Sequence, residues 1–281
     1  MNAKIYKTEN GRDILNAFHD EMTRQRAYPH EAVEVPTRHG ATYTVTAGSR
    51  ANPALVLLHG SASSILGWGA AIPEYMRDYF VIAPDIPGEA GKSEPVRPSW
   101  DNDDYVQWLD DLLRALAVER AALLGISFGG WLALKYAAAR PGRVSRIVLL
   151  APGGLAPARA SAVFKTIVYS MQGQKGSEKM KRMVFGGGEI LPEVSRFFDL
   201  LQQHYAPRFG SPPPLTDAEL QALTCPALMA AGGGDAFFDS EKAAARLKKL
   251  VPVAQIMLDA EGQHGITQYG GTIAQFLAQQ A

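Results

Sequence analysis

Apolar residues recur with two different periods along this chain. Near the start, Ile14, Leu15, Phe18 and Met22 return every three to four residues among polar neighbours. That spacing makes one apolar stripe on a helix, the mark of an amphipathic arm packed on the rest of the protein. Two short alternating stretches follow, at 32–37 and 41–47, with His39 and Gly40 between them. They predict an antiparallel hairpin. Next come four short runs apolar on both faces, at 54–58, 80–83, 121–124 and 146–150. Each ends in a turn containing Gly or Pro. Strands buried on both sides of a parallel sheet read this way.

Helical patterns separate these runs. Residues 101–117 place Tyr105, Trp108, Leu109, Leu112, Leu113 and Leu116 on one side. A second helix, 128–140, stops before Pro141, because the residue preceding a proline is pushed out of the helical region. Strands alternating with helices imply right-handed crossovers and a sheet covered on both faces. After Leu150 the rhythm breaks. Residues 155–218 are irregular, with Gly186-Gly187-Gly188, Pro212-Pro213-Pro214 and helix-like pieces rich in Met and Phe. The rhythm resumes with a strand at 227–231, a helix at 240–250, a strand at 253–258 and a last helix near 267–280. The expected organisation is one α/β core built from residues 1–154 and 219–281, with 1–28 as a helical arm. Residues 155–218 form an insertion.

Composition narrows the function classes. The 281 residues carry 28 basic and 28 acidic side chains, a formal charge of zero. Nucleic-acid binders normally show a basic excess or stripe, so no nucleic-acid partner is expected. At 47% hydrophobic and 20% charged, the chain is not of the disordered class. Cys225 is the single cysteine, which excludes an internal disulfide and fits a reducing compartment. The first residues lack the apolar stretch of a signal peptide. No unbroken apolar run reaches the roughly 18 residues needed to span a bilayer. These features lead to the expectation of a soluble, cytoplasmic protein without a membrane partner, monomer or homodimer.

The sharpest chemical signal is Gly125-Ile126-Ser127-Phe128-Gly129, the one G-x-S-x-G in the chain. It follows the run 121–124 and opens a helix. In such a turn the serine is held in a strained conformation with its hydroxyl presented at the strand's end. The residues two before and two after must be small to avoid collision. A serine hydroxyl is a poor nucleophile near neutral pH and needs a base. In this strand–turn–helix arrangement the acid and then the histidine follow the serine along the chain. Only His204 and His264 follow Ser127. His204 is inside the insertion, whereas His264 follows the last strand, at the sheet edge that carries Ser127. His264 is therefore the expected base. The expected acid is Asp235, on a glycine-rich turn after the run 227–231. Asp239 competes but stands where a helix N-cap belongs. The oxyanion hole needs backbone N–H groups aimed at the developing charge. Phe128, directly after the nucleophile, supplies one, and Ser61, in the turn after the first parallel strand, the other. His59 is read as a structural residue of that turn. No metal-ligand spacing and no phosphate or dinucleotide loop is present, so no cofactor and no metal is expected.

These residues resemble the α/β-hydrolase superfamily, and the chain is similar to its bacterial carboxylesterase-type members. The matching segments are Leu57-Leu58-His59-Gly60, Asp85-Ile86-Pro87-Gly88, Gly125-Ile126-Ser127-Phe128-Gly129-Gly130, Gly232 to Asp235, and His264, in the family's order. The resemblance implies an eight-stranded, mostly parallel sheet flanked by helices. It also implies a helical cap after the sixth strand, where 155–218 falls, and the triad Ser127, Asp235 and His264. One departure stands out. Many relatives have Gly-x-Gly after the Asp-x-x-Gly turn, while this chain has Gly88-Glu89-Ala90-Gly91-Lys92-Ser93. The expected activity is hydrolysis of small to medium, largely apolar carboxylic esters through an acyl-enzyme. The alternatives are carbon–carbon bond hydrolysis of ring-cleavage products and, in a different class, a ligand receptor that retains the triad. Dehalogenases and epoxide hydrolases of this fold use an aspartate nucleophile, so Ser127 argues against them.

Overall fold

The computed structural model describes residues 5–265 and 270–279. Its centre is an eight-stranded sheet: β1 (Glu31–Thr37), β2 (Gly40–Ala47), β3 (Ala54–Leu58), β4 (Phe80–Pro84), β5 (Ala121–Ile126), β6 (Val144–Leu150), β7 (Ala227–Gly232) and β8 (Gln255–Asp259). The spatial order is β1-β2-β4-β3-β5-β6-β7-β8. The first two strands form the expected hairpin, and β2 joins β4 antiparallel. All remaining pairs are parallel.

Successive residues of a strand point to opposite faces. In β3 this sends Ala54, Val56 and Leu58 into one core and Leu55 and Leu57 into the other. The first core is covered by α3 (Asp104–Ala115), α4 (Phe128–Ala139) and α9 (Ser240–Leu250). The second lies under α2 (Ile72–Tyr75) and α10 (Gly270–Ala278). A strand with two covered faces has no polar side, which is why these runs lack alternation. The last helix begins at Gly270; the expected start at Thr267 and end at Gln280 lie outside the described residues.

The N-terminal stripe forms α1 (Gly11–Arg24), with Leu15 and Phe18 buried. His19 is buried beside them, which the apolar count did not anticipate. The stretch 155–218 is more regular than its composition suggested. It holds α5 (Ala160–Ser170), α6 (Gly173–Phe185), α7 (Pro192–His204) and the start of short α8 (Asp217–Gln221). Their polar faces hid the helical period, since these helices bury few side chains. Phe197 of α7 stacks on Phe18 of α1 at 5.7 Å between ring centroids. Main-chain bonds join Lys7 N–H to the His204 carbonyl and Ala206 N–H to that of Ile5, both at 2.8 Å. The N-terminal arm thus pairs, strand-like, with the segment that follows α7.

Candidate active site

The parallel strands all end on one edge of the sheet, so the turns after β3, β5, β7 and β8 meet there. Ser127 stands between β5 and α4 at φ +53° and ψ −110°. This left-handed backbone disfavours any residue with a Cβ. The turn survives because its neighbours are glycines. A Cβ on Gly125 would lie 2.2 Å from the Gly129 carbonyl oxygen, and one on Gly129 would lie 2.0 Å from that of Leu58. The bend is also tied down by Ser127 N–H donating to Leu150 O at 2.9 Å and Gly153 N–H donating to Ser127 O at 3.0 Å. Phe128 turns its side chain into the core, stacked on Trp131 and edge-on to Tyr105. Its amide is left at the N-terminus of α4.

Asp235 and His264 come together across the edge. The His264 Nδ1–H donates to Asp235 Oδ2 at 2.8 Å, and both residues are buried. The other carboxylate oxygen, Oδ1, accepts from the Phe237 and Phe238 amides at 2.7 and 3.2 Å. One oxygen is thereby locked by backbone and the other is aimed at the ring. Because Nδ1 faces a carboxylate it carries the proton, which leaves Nε2 of the neutral ring free to accept one. The Phe237 and Phe238 rings sit 4.6 and 5.9 Å from the imidazole and confine its rotation. Phe238 also reaches toward Gly153, whose missing Cβ would lie 3.5 Å from the ring tip and 3.6 Å from Ser127 O. The pair therefore stands on the serine's side of the edge. Among the described residues no hydrogen bond joins the Ser127 hydroxyl to His264; in unliganded sites such bonds are often long and tighten with substrate. Asp239 caps α9 by accepting from Lys242 N–H at 3.1 Å. His204 Nδ1 is bonded to Thr8 Oγ1 at 2.8 Å, in the contact with the N-terminal arm.

The turn after β3 is held by His59. Its Nε2 accepts from Ile86 N–H at 2.9 Å, so Nδ1 carries the proton and donates to Gly60 O at 2.8 Å. Burial lowers the pKa of this histidine and keeps it neutral. The Gly60 carbonyl and the Ser61 N–H share one trans peptide plane and point opposite ways. Fixing the carbonyl on His59 therefore aims the Ser61 amide away from it. Gly60 lies against Ser127: a Cβ there would be 3.6 Å from the serine Cβ.

Behind this turn lies a polar core that the sequence did not reveal. Buried Asp85 accepts from Ile65 N–H at 2.7 Å and Lys92 N–H at 2.8 Å, and His19 of α1 stands 3.4 Å away. Burial pushes its carboxyl up, but His19 and the Lys92 amide pull it below the usual range. Glu89 is buried too. Desolvation dominates there, outweighing bonds from Ala62 and Tyr205 and the charges of Arg97 and Arg208, and its pKa is pushed up to about 7. An unexpected charged residue inside the family's Gly-x-Gly turn was the one available signal for it.

Residues 55–268 match the alpha/beta hydrolase family. The chain belongs to that family. Among curated proteins this hydrolase is 28% identical to the carboxylesterase YbfK of Bacillus subtilis over 246 residues, which cover 83% of this chain and 81% of that one. The crystal structure of that carboxylesterase superposes with a TM-score of 0.87 at 24% identity, covering 97% of this chain and all of the other. A shorter match, 36% identical over 104 residues, is to the 2-hydroxymuconate semialdehyde hydrolase of a Pseudomonas strain, covering 36% of this chain and 37% of that enzyme. The sheet order and its mostly parallel pairing are those of an α/β-hydrolase fold. Among the described residues no helix is long and apolar enough to cross a membrane.

Proposed function

We propose that this hydrolase cleaves carboxylic esters with Ser127 as nucleophile, His264 as base and Asp235 as its partner. The observation that carries the reading is the strained Ser127 elbow at the edge that also presents the locked Asp235–His264 pair. Similarity to a carboxylesterase along most of both chains supports the ester as the bond cleaved.

In this reading His264 Nε2 takes the hydroxyl proton as the serine oxygen attacks the acyl carbonyl. The carbonyl oxygen becomes negative and is met by the amides of Phe128 and Ser61, with the N-terminus of α4 adding its partial positive charge. Asp235 stabilises the imidazolium without taking its proton. The alcohol leaves with the proton from His264. Water, activated by the same base, then releases the acid. Residues 155–218 act as a cap over this edge. Two bonds attach them to the acid and histidine loops: Gly265 N–H donates to Val184 O at 2.9 Å, and Arg159 N–H to Phe237 O at 2.8 Å. The substrate is a small to medium, largely apolar ester, and the protein acts in the cytoplasm without a cofactor.

The test is hydrolysis of short p-nitrophenyl esters together with a vinylogous diketone. Wild type is expected to turn over the esters and to be labelled by a fluorophosphonate at Ser127. Ser127→Ala should lose at least about a thousandfold in kcat, given what triad members contribute. Full activity of the Ala variant, or labelling elsewhere, overturns the assignment. Preference for the diketone would move the substrate class to carbon–carbon bond hydrolysis, in line with the partial match to the semialdehyde hydrolase.

A further inference from the structure

The departure at Gly88-Glu89-Ala90-Gly91 brings a carboxylate to the back of the turn after β3. Glu89 Oε2 accepts from Ala62 N–H at 2.6 Å, and the Tyr205 hydroxyl lies 3.0 Å from the same oxygen. That hydroxyl is also 3.2 Å from the Gly88 carbonyl oxygen. A second tie joins the two loops, Ala90 N–H to Ser63 O at 3.2 Å. Ala62 is at φ +51°, a left-handed conformation that costs a residue with a Cβ and persists only where its surroundings hold it. Tyr205, fully buried, directly follows α7 and pairs with the N-terminal arm.

Ser61 is thus bracketed. On one side His59 holds the Gly60 carbonyl and so the plane of the Ser61 amide. On the other side the next peptide group, Ser61 to Ala62, is held by its N–H bond to Glu89. Without the second hold, the turn could relax Ala62 out of its strained conformation and rotate Ser61 with it.

We propose that Glu89 is a positioning residue for the oxyanion hole, fixing the Ala62 peptide so that the Ser61 N–H stays aimed at the reacting oxygen, with Tyr205 bracing the carboxylate from the segment after α7. This rests on the serine-esterase reading. The role requires an acceptor at Oε2, not a charge, so an amide oxygen serves as well.

The experiment compares wild type, Glu89→Ala and Glu89→Gln in the acylation burst and steady state with p-nitrophenyl acetate. Folding is checked by circular dichroism and melting. Glu89→Ala is expected to lose about 10- to 100-fold in kcat, less than outright removal of an oxyanion donor, with KM within about twofold. Its affinity for a trifluoromethyl ketone, which mimics the tetrahedral intermediate, should fall by a similar factor. Glu89→Gln should recover most of both losses. A merely structural residue would not split kcat from KM in this way. Should Glu89→Ala fail to fold, Glu89→Asp withdraws the acceptor by one methylene and is expected to show the same pattern. If wild type is labelled at Ser127 yet the folded variants acylate at its rate, or Gln falls as far as Ala, the inference alone is overturned. If wild type is not labelled at Ser127, the esterase reading falls and takes the inference with it.

Discussion

Replacing Glu89 by Gln should change how the stability of this protein depends on pH. Desolvation raises the buried carboxyl from 4.5 to about 7, despite bonds from Ala62 N–H and the Tyr205 hydroxyl. Between those two values the folded protein keeps the proton while the unfolded chain has released it. The folded state then binds more protons, so this group's contribution falls as pH rises through the window and levels off above about pH 7. The full difference is worth about 3 kcal/mol, and the part lying between pH 5 and pH 8 about 2.5 kcal/mol. Gln cannot ionise and keeps an acceptor for Ala62. Relative to Glu89→Gln, wild type should therefore lose about 2.5 kcal/mol on going from pH 5 to pH 8. For a chain of this size that is roughly 5 to 10 °C in relative Tm. Thermal melts of both proteins at half-unit pH steps test it, since other titrating groups are common to both and cancel. A constant offset across the range would mean that Glu89 ionises freely in the folded state, and the desolvation argument would fail.

Two further outcomes follow from the site. Asp235→Asn keeps the shape but offers an amide to His264 Nδ1, which favours the wrong ring tautomer; kcat for p-nitrophenyl acetate should drop about 10³- to 10⁴-fold with little change in Tm. An unchanged kcat would remove Asp235 from the mechanism. Gly129→Ala places a Cβ 2.0 Å from the Leu58 carbonyl oxygen, a collision with backbone that cannot swing away. It should prevent folding or lower Tm severely, whereas Gly142→Ala, with open space around it, should leave both Tm and activity near wild type. Equal melting of the two variants would refute the account of the tight elbow.

The elements legible in sequence were those governed by local rules. The β-branched and leucine-rich runs marked β3, β4, β5 and β6 because a strand with two covered faces needs no polar side. The turn at Ser127 was legible because its steric demand falls on Gly125 and Gly129, two residues away in the chain. The helices α5 to α7 were legible only as helix-like pieces without bounds, since their polar faces blur the period that reveals buried helices.

Sequence alone thus determined the α/β fold class and the tight turn at Ser127, both consequences of short-range sterics and periodic burial. Only the tertiary structure decided what those residues can do together. It brought His264 to Asp235 across 29 positions and locked the carboxylate on two amides. It placed His19 of the arm beside Asp85, and Tyr205 against Glu89 across 116 positions. Ionisation and hydrogen-bond direction depend on which distant segments exclude water from a group, and no local pattern encodes that. The zero net charge of the chain gave no hint of a carboxyl poised near neutrality behind the edge that carries Ser127.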